Sequence, residues 1–130
     1  MTKAPVVLLV EDEDQQREAL TMLLEVEGYS VIGVPSAEAA MEHIQHATPG
    51  MVISDVKLTG ADGFTLFESV RQRPSLGGVP FLFITAYNDP KAIEKIKRVG
   101  AVGYLTKPYN LEDLLATVKK FLPPVAGASA

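Results

Sequence analysis

Four groups of reactive side chains stand out in the 130-residue chain: Glu11-Asp12-Glu13-Asp14, Asp55, Thr85-Ala86 and Thr106-Lys107-Pro108. Each lies at the carboxyl end of an apolar run: Val6–Val10, Met51–Ile53, Phe81–Ile84 and Val102–Leu105. If Glu11, Asp12 and Asp55 converge, their like charges raise one another's pKa unless a cation neutralises them. The ligands would be hard oxygens with neither His nor Cys among them, which favours Mg²⁺ over zinc or copper. A calcium loop beginning at Asp12 fails, because Arg17 and Leu23 stand where an EF-hand needs Gly and Glu. A metal, a carboxylate, the Thr85 hydroxyl and the Lys107 ammonium on one rim form a receptor for a tetrahedral dianion, and phosphoryl transfer is the natural chemistry. Asp55 would be the nucleophile, the metal and Lys107 would neutralise charge, and Thr85 would donate to a phosphoryl oxygen.

The elements that must position these groups follow from hydrophobic period. Unalternating apolar runs at Val6–Val10, Val31–Val34, Met51–Ile53, Phe81–Ile84 and Val102–Leu105 suit strands buried on both faces. Between them, sets such as Leu20, Leu23, Leu24 and Ala92, Ile93, Ile96, Val99 recur at helical spacing. Ser36, Asp89 and Asn110 are predicted N-caps, Pro90 fits a first helical position, and Gly28 and Gly100 fall just past helix ends. Strand and helix alternating five times predict an α/β fold. The expected architecture is an open three-layer α/β/α sandwich on a five-stranded parallel sheet, too small for an eight-stranded barrel. In such a sheet ligands bind beyond the carboxyl ends of the strands, where the four reactive groups fall.

Composition narrows the function classes. At 47% apolar residues, one domain is expected, placed at residues 1–122, with 123–130 as a flexible tail or linker after Pro123-Pro124. No apolar run approaches the ~20 residues of a membrane span, and the N-terminal segment shows no secretion-signal pattern. Cysteine is absent, which excludes disulfides, thiolate zinc sites and cysteine nucleophiles. The cytoplasm is the expected compartment. The net charge of −4 divides into −8 over residues 1–65 and +4 over 66–130, a poor basis for direct nucleic-acid binding. Lys91, Lys95, Lys97 and Arg98 are expected to form a solvated face suited to an acidic partner surface rather than DNA. His43 and His46 are expected to be exposed polar positions on the second helix, not ligands.

Together, Val10-Glu11-Asp12-Glu13, Ser54-Asp55-Val56-Lys57, Asp62-Gly63, Ile84-Thr85-Ala86 and Tyr104-Leu105-Thr106-Lys107-Pro108 resemble the receiver domain of two-component response regulators. The resemblance spans residues 5 to about 122, and its dispersed motifs are specific as a set. It implies the flavodoxin-like strand order 2-1-3-4-5. It further implies that Asp55 accepts a phosphoryl group from the phosphohistidine of a sensor histidine kinase or phosphotransfer protein. Asp12 and Asp55 would ligate Mg²⁺ directly, Glu11 through water, and Lys57 through its backbone carbonyl. Thr85 and Tyr104 would form a switch that alters the surface of the fourth helix, fifth strand and fifth helix, and Lys107-Pro108 would be cis. That surface would control a downstream protein or an attached output domain. The implied molecule is a signalling switch that catalyses its own phosphorylation and dephosphorylation, stand-alone or the N-terminal module of a longer regulator.

Some residues depart from the family pattern. Lys57-Leu58-Thr59-Gly60 replaces the usual apolar pair and proline after the acceptor, which is expected to loosen that loop slightly. Lys57 and Tyr87 occupy positions expected to tune phosphoryl lifetime. Val102-Gly103 replaces the acidic residues that commonly precede the switch aromatic in one dimerising subfamily, so a monomer stands beside a phosphorylation-dependent dimer as the expected state. A haloacid-dehalogenase-like phosphohydrolase would need a second acid where Lys57 stands and a nucleophile after the first strand. A flavin-binding electron carrier would need a Ser/Thr/Gly-rich loop where Glu11–Asp14 would repel phosphate.

Overall fold

The computed structural model describes residues 4–86 and 88–124. The strands are β1 (Val6–Val10), β2 (Ser30–Val34), β3 (Met51–Asp55), β4 (Phe81–Ala86) and β5 (Gly103–Lys107). The helices are α1 (Asp14–Val26), α2 (Ala37–Ile44), α3 (Gly63–Gln72), α4 (Pro90–Val99) and α5 (Leu111–Phe121), with a short 3-10 turn at Pro74–Leu76. The strands pair in parallel in the order β2-β1-β3-β4-β5.

Alternate residues of each strand face opposite sides of the sheet, and the two cores divide accordingly. Leu8, Val10, Val52, Phe81 and Phe83 pack with Ala40, Phe64, Phe67, Val70 and Ile96 of α2, α3 and α4. Val7, Leu9, Met51, Ile53, Leu82 and Ile84 pack with Leu20 and Leu24 of α1 and Leu114 and Val118 of α5. The first core is aromatic, with Phe81 and Phe83 rings 4.7 Å apart and Phe64 and Phe67 at 4.9 and 5.7 Å from Phe83. The Tyr29 hydroxyl donates to the Leu122 carbonyl at 2.6 Å, tying the end of α5 back to the start of β2.

Ser36, Asp89 and Asn110 accept the expected backbone N–H groups at the starts of α2, α4 and α5. Asp62 does the same for α3, a cap that sequence reading did not single out. Gly100 ends α4 with φ 85°, where a side chain would be strained.

Several boundaries and environments differ from expectation. β3, β4 and β5 run two residues further than their apolar runs, through Asp55, Ala86 and Lys107, and β5 starts at Gly103 rather than Val102. β2 and β5 are only half-buried because they are the sheet edges. His46 lies beyond the end of α2, and His43 is half-buried with Nε2 buried and without a hydrogen-bond partner. Residues 125–130 and Tyr87 lie outside the described residues.

Candidate functional site

Parallel pairing brings the carboxyl ends of β1, β3, β4 and β5 to one rim. The ladder itself carries the reactive residues there: Asp55 pairs with Ile84, Thr85 with Thr106, and Ala86 with Lys107. The Glu11 N–H donates to Val34 at 3.1 Å, extending the β1–β2 ladder one residue beyond β1. Behind the rim, Gly63 packs α3 so closely that a Cβ there would lie 2.3 Å from the Asp55 carbonyl oxygen. Only glycine permits that approach.

Glu11 and Asp55 are buried, Asp12 is exposed, and one carboxylate oxygen from each lies within 4.8 Å of the others. Lys107 Nζ donates to Glu11 Oε1 at 2.9 Å, to Asp55 Oδ2 at 3.1 Å and to Gln16 Oε1 at 2.9 Å. All three ammonium donors are thereby used. Asp55 Oδ1 is buried with no hydrogen-bond partner. Asp55, Lys57, Ile84, Thr85, Ala86 and Lys107 line a cleft of about 150 Å³, with room for a small anion.

Supporting contacts fix the first loop. Arg17 Nη1 donates to the Glu11 carbonyl at 2.8 Å while Nη2 pairs with Asp14 at 2.6 Å. The Glu13 N–H donates to Glu11 Oε2 at 3.2 Å. The second loop, residues 57–62, makes two sets of contacts to distant carboxylates. Thr59 donates to Asp12 Oδ2 through its N–H and its hydroxyl, both at 3.3 Å, and the Ala61 N–H donates to Glu38 Oε2 at 2.9 Å.

Too many carboxylates share one ammonium, and the titration of the group reflects it. Burial first, then the adjoining Glu11 carboxylate, pushes the Asp55 carboxyl up to about 8, against the pull of Lys107. Burial would also raise Glu11, but its contacts with Asp55, Lys107 and the Glu13 N–H hold it below the ordinary range. Lys107 is raised: burial opposes its charge, and its two carboxylate partners outweigh that. An all-oxygen acidic cluster with one unpartnered buried carboxylate oxygen fits a hard cation.

Of the residues expected to act together, Glu11, Asp12, Asp55 and Lys107 converge, and Thr85 and Lys57 line the adjoining cleft. Tyr104 does not line it. Its ring is half-buried against the aromatic core on the side of α2, α3 and α4. The Lys107-Pro108 peptide is cis. Sequence reading missed Gln16, Thr59 and Glu38, neutral or remote groups whose partners lie up to 91 residues away.

Comparison with known proteins agrees with this geometry. Residues 7–119 match the family described as response regulator receiver domain. Response regulator protein FleR of Pseudomonas aeruginosa is 40% identical over 115 residues, 88% of this chain but 24% of FleR. An uncharacterised 14.6 kDa protein of Leptolyngbya boryana is 32% identical over 92% of this chain and 94% of its own length. Among solved structures, a putative response regulator from Chloroflexus aurantiacus superposes with a TM-score of 0.86 at 38% identity, covering 92% of this chain and 98% of that one. Chemotaxis protein CheY4 of Vibrio cholerae gives 0.83 at 32% identity, covering 91% and 98%. The chain belongs to the response regulator receiver domain family.

Proposed function

We propose that the protein is a phosphorylation-activated switch in which Asp55 takes a phosphoryl group from the phosphohistidine of a sensor kinase or phosphotransfer protein. The observation that carries this reading is the Asp55 carboxylate itself. One oxygen is held by Lys107, the other is buried and unpartnered, and both belong to a residue lining an anion-sized cleft.

Glu11, Asp12, Asp55 and the Lys57 backbone carbonyl would hold Mg²⁺. Once bound, the ion supplies neutralisation of the clustered carboxylates and of the phosphoryl oxygens. Asp55 attacks phosphorus as the bond to the histidine nitrogen breaks, leaving an acyl phosphate and a neutral imidazole after protonation. Lys107 exchanges one of its present acceptors for a phosphoryl oxygen, and the Thr85 hydroxyl donates to another. Thr85 and Tyr104 then bias the surface of α4, β5 and α5, by no more than the difference in their contacts between the two arrangements. Lys57 and Tyr87 would tune hydrolysis of the acyl phosphate by water, which would make the switch its own phosphatase.

The switching unit is residues 1–122, with 123–130 as tail or linker, acting in the cytoplasm. Among the described residues no helix is long and apolar enough to cross a membrane. The output passes to a partner protein or an attached domain, without direct nucleic-acid binding by this unit, and with a monomer or a phosphorylation-dependent dimer as the working state. Incubation with acetyl phosphate and Mg²⁺, followed by intact mass, is the test. One added phosphoryl group, lost in EDTA, is expected, and no adduct from either acetyl phosphate or a phosphorylated kinase would overturn the reading.

A further inference from the structure

Asp12 differs from the other carboxylates of the cluster in how it is held. Glu11 and Asp55 are buried and paired with Lys107, whereas Asp12 is exposed and takes part in no ion pair among the described residues. Its hydrogen bonds among those residues both come from Thr59, at 3.3 Å from the backbone N–H and 3.3 Å from the hydroxyl, across 47 residues of sequence. An exposed aspartate without such partners is free to rotate away from its neighbours, and ordering it costs side-chain entropy. Thr59 also stands two residues beyond Lys57, in a loop whose other end is fixed by the Ala61 N–H on Glu38.

We propose that Thr59 is a positioning residue for the cation: its two donors hold the Asp12 carboxylate beside Glu11 and Asp55, and lock the Lys57 segment to the same carboxylate. The inference rests on the metal-binding reading above. Both donors converge on Oδ2, which leaves Oδ1 free to face a cation. Hydrogen bonds that orient a ligating carboxylate raise metal affinity without touching the metal. Proline at this position would supply neither donor.

The test is calorimetric titration of Mg²⁺ into the full chain and three variants. Thr59→Ser keeps both donors and is expected to bind within twofold of the unsubstituted protein. Thr59→Val loses the hydroxyl and is expected to bind about threefold more weakly, and Thr59→Pro, which loses both, about tenfold. Equal thermal unfolding of all four proteins in EDTA shows that the fold is unaffected, since Thr59 is exposed. Unchanged or tighter binding by the Val and Pro variants, with Mg²⁺ bound normally by the parent, overturns the inference and leaves the metal reading standing. No binding by the parent overturns both.

Discussion

Within β3 the environment changes over five residues. Met51, Val52 and Ile53 are fully buried among aliphatic and aromatic side chains that satisfy one another by shape. Ser54 and Asp55 are buried too, but only the Ser54 hydroxyl has a local acceptor, the Asp55 carbonyl at 2.9 Å. The body of the sheet is a region where contacts agree. Its rim is a region where they conflict, with three acids clustered, two of them sharing one lysine, and one buried carboxylate oxygen unpartnered. The difference teaches that the rim is kept at a cost in stability by the rigidity of the body beneath it.

The largest expected effect falls in the body. Phe83→Ala removes a ring packed against Phe64, Phe67 and Phe81 and should cost about 3–5 kcal/mol in urea unfolding. A loss below about 1 kcal/mol would erase the distinction between body and rim.

At the rim, the two signs of charge should act oppositely. Lys107→Ala leaves Glu11 and Asp55 without their shared cation and should destabilise the metal-free protein by about 1–4 kcal/mol at neutral pH. Asp55→Asn should stabilise it by about 1–3 kcal/mol at neutral pH, because the carboxyl, ionised in the unfolded chain, must take up a proton on folding into a buried site crowded by Glu11, and an amide need not. Since the folded Asp55 carboxyl is raised from 3.8 to about 8, its ionisation costs stability progressively as pH rises through that window. The advantage of Asp55→Asn should therefore be absent near pH 3 and grow to a plateau above pH 8, as denaturant curves across pH would show. A destabilised Asp55→Asn protein would place the conflict elsewhere.

The smallest effect on folding is expected at Thr85. Its hydroxyl makes no hydrogen bond among the described residues and borders the cleft, so Thr85→Val should change stability by less than about 1 kcal/mol. The same variant should accumulate clearly less phosphorylated protein from acetyl phosphate, which intact mass would detect.

The body was the more legible region in the sequence. Runs such as Val6–Val10 and Phe81–Ile84, spaced by helical sets, gave element types and order, and Ser36, Asp89 and Asn110 gave the caps. Strand ends were misjudged for a physical reason: apolar period stops at Ile53, Ile84 and Leu105, while backbone pairing continues through polar residues of the candidate site. Edge strands read as buried because hydrophobic period does not show which strands lack a neighbour; the order implied by the resemblance did place β2 and β5 at the edges. At the rim, charged groups were visible as a constellation, and resemblance to a family supplied their roles. Gln16 on Lys107, Thr59 on Asp12 and Glu38 on Ala61 were not visible, since nothing local marks a polar side chain as the partner of a group tens of residues away.

The most direct test of the central claim is to find where the phosphoryl group goes. Protein incubated with Mg²⁺ and acetyl phosphate can be reduced with borohydride, which converts an aspartyl phosphate to homoserine, and mapped by tandem mass spectrometry. Homoserine at position 55 alone, abolished by EDTA and absent from Asp55→Asn, is the predicted result. Conversion at Asp12 or Glu11, or at none of the acids while a phosphoryl adduct is present, would contradict it.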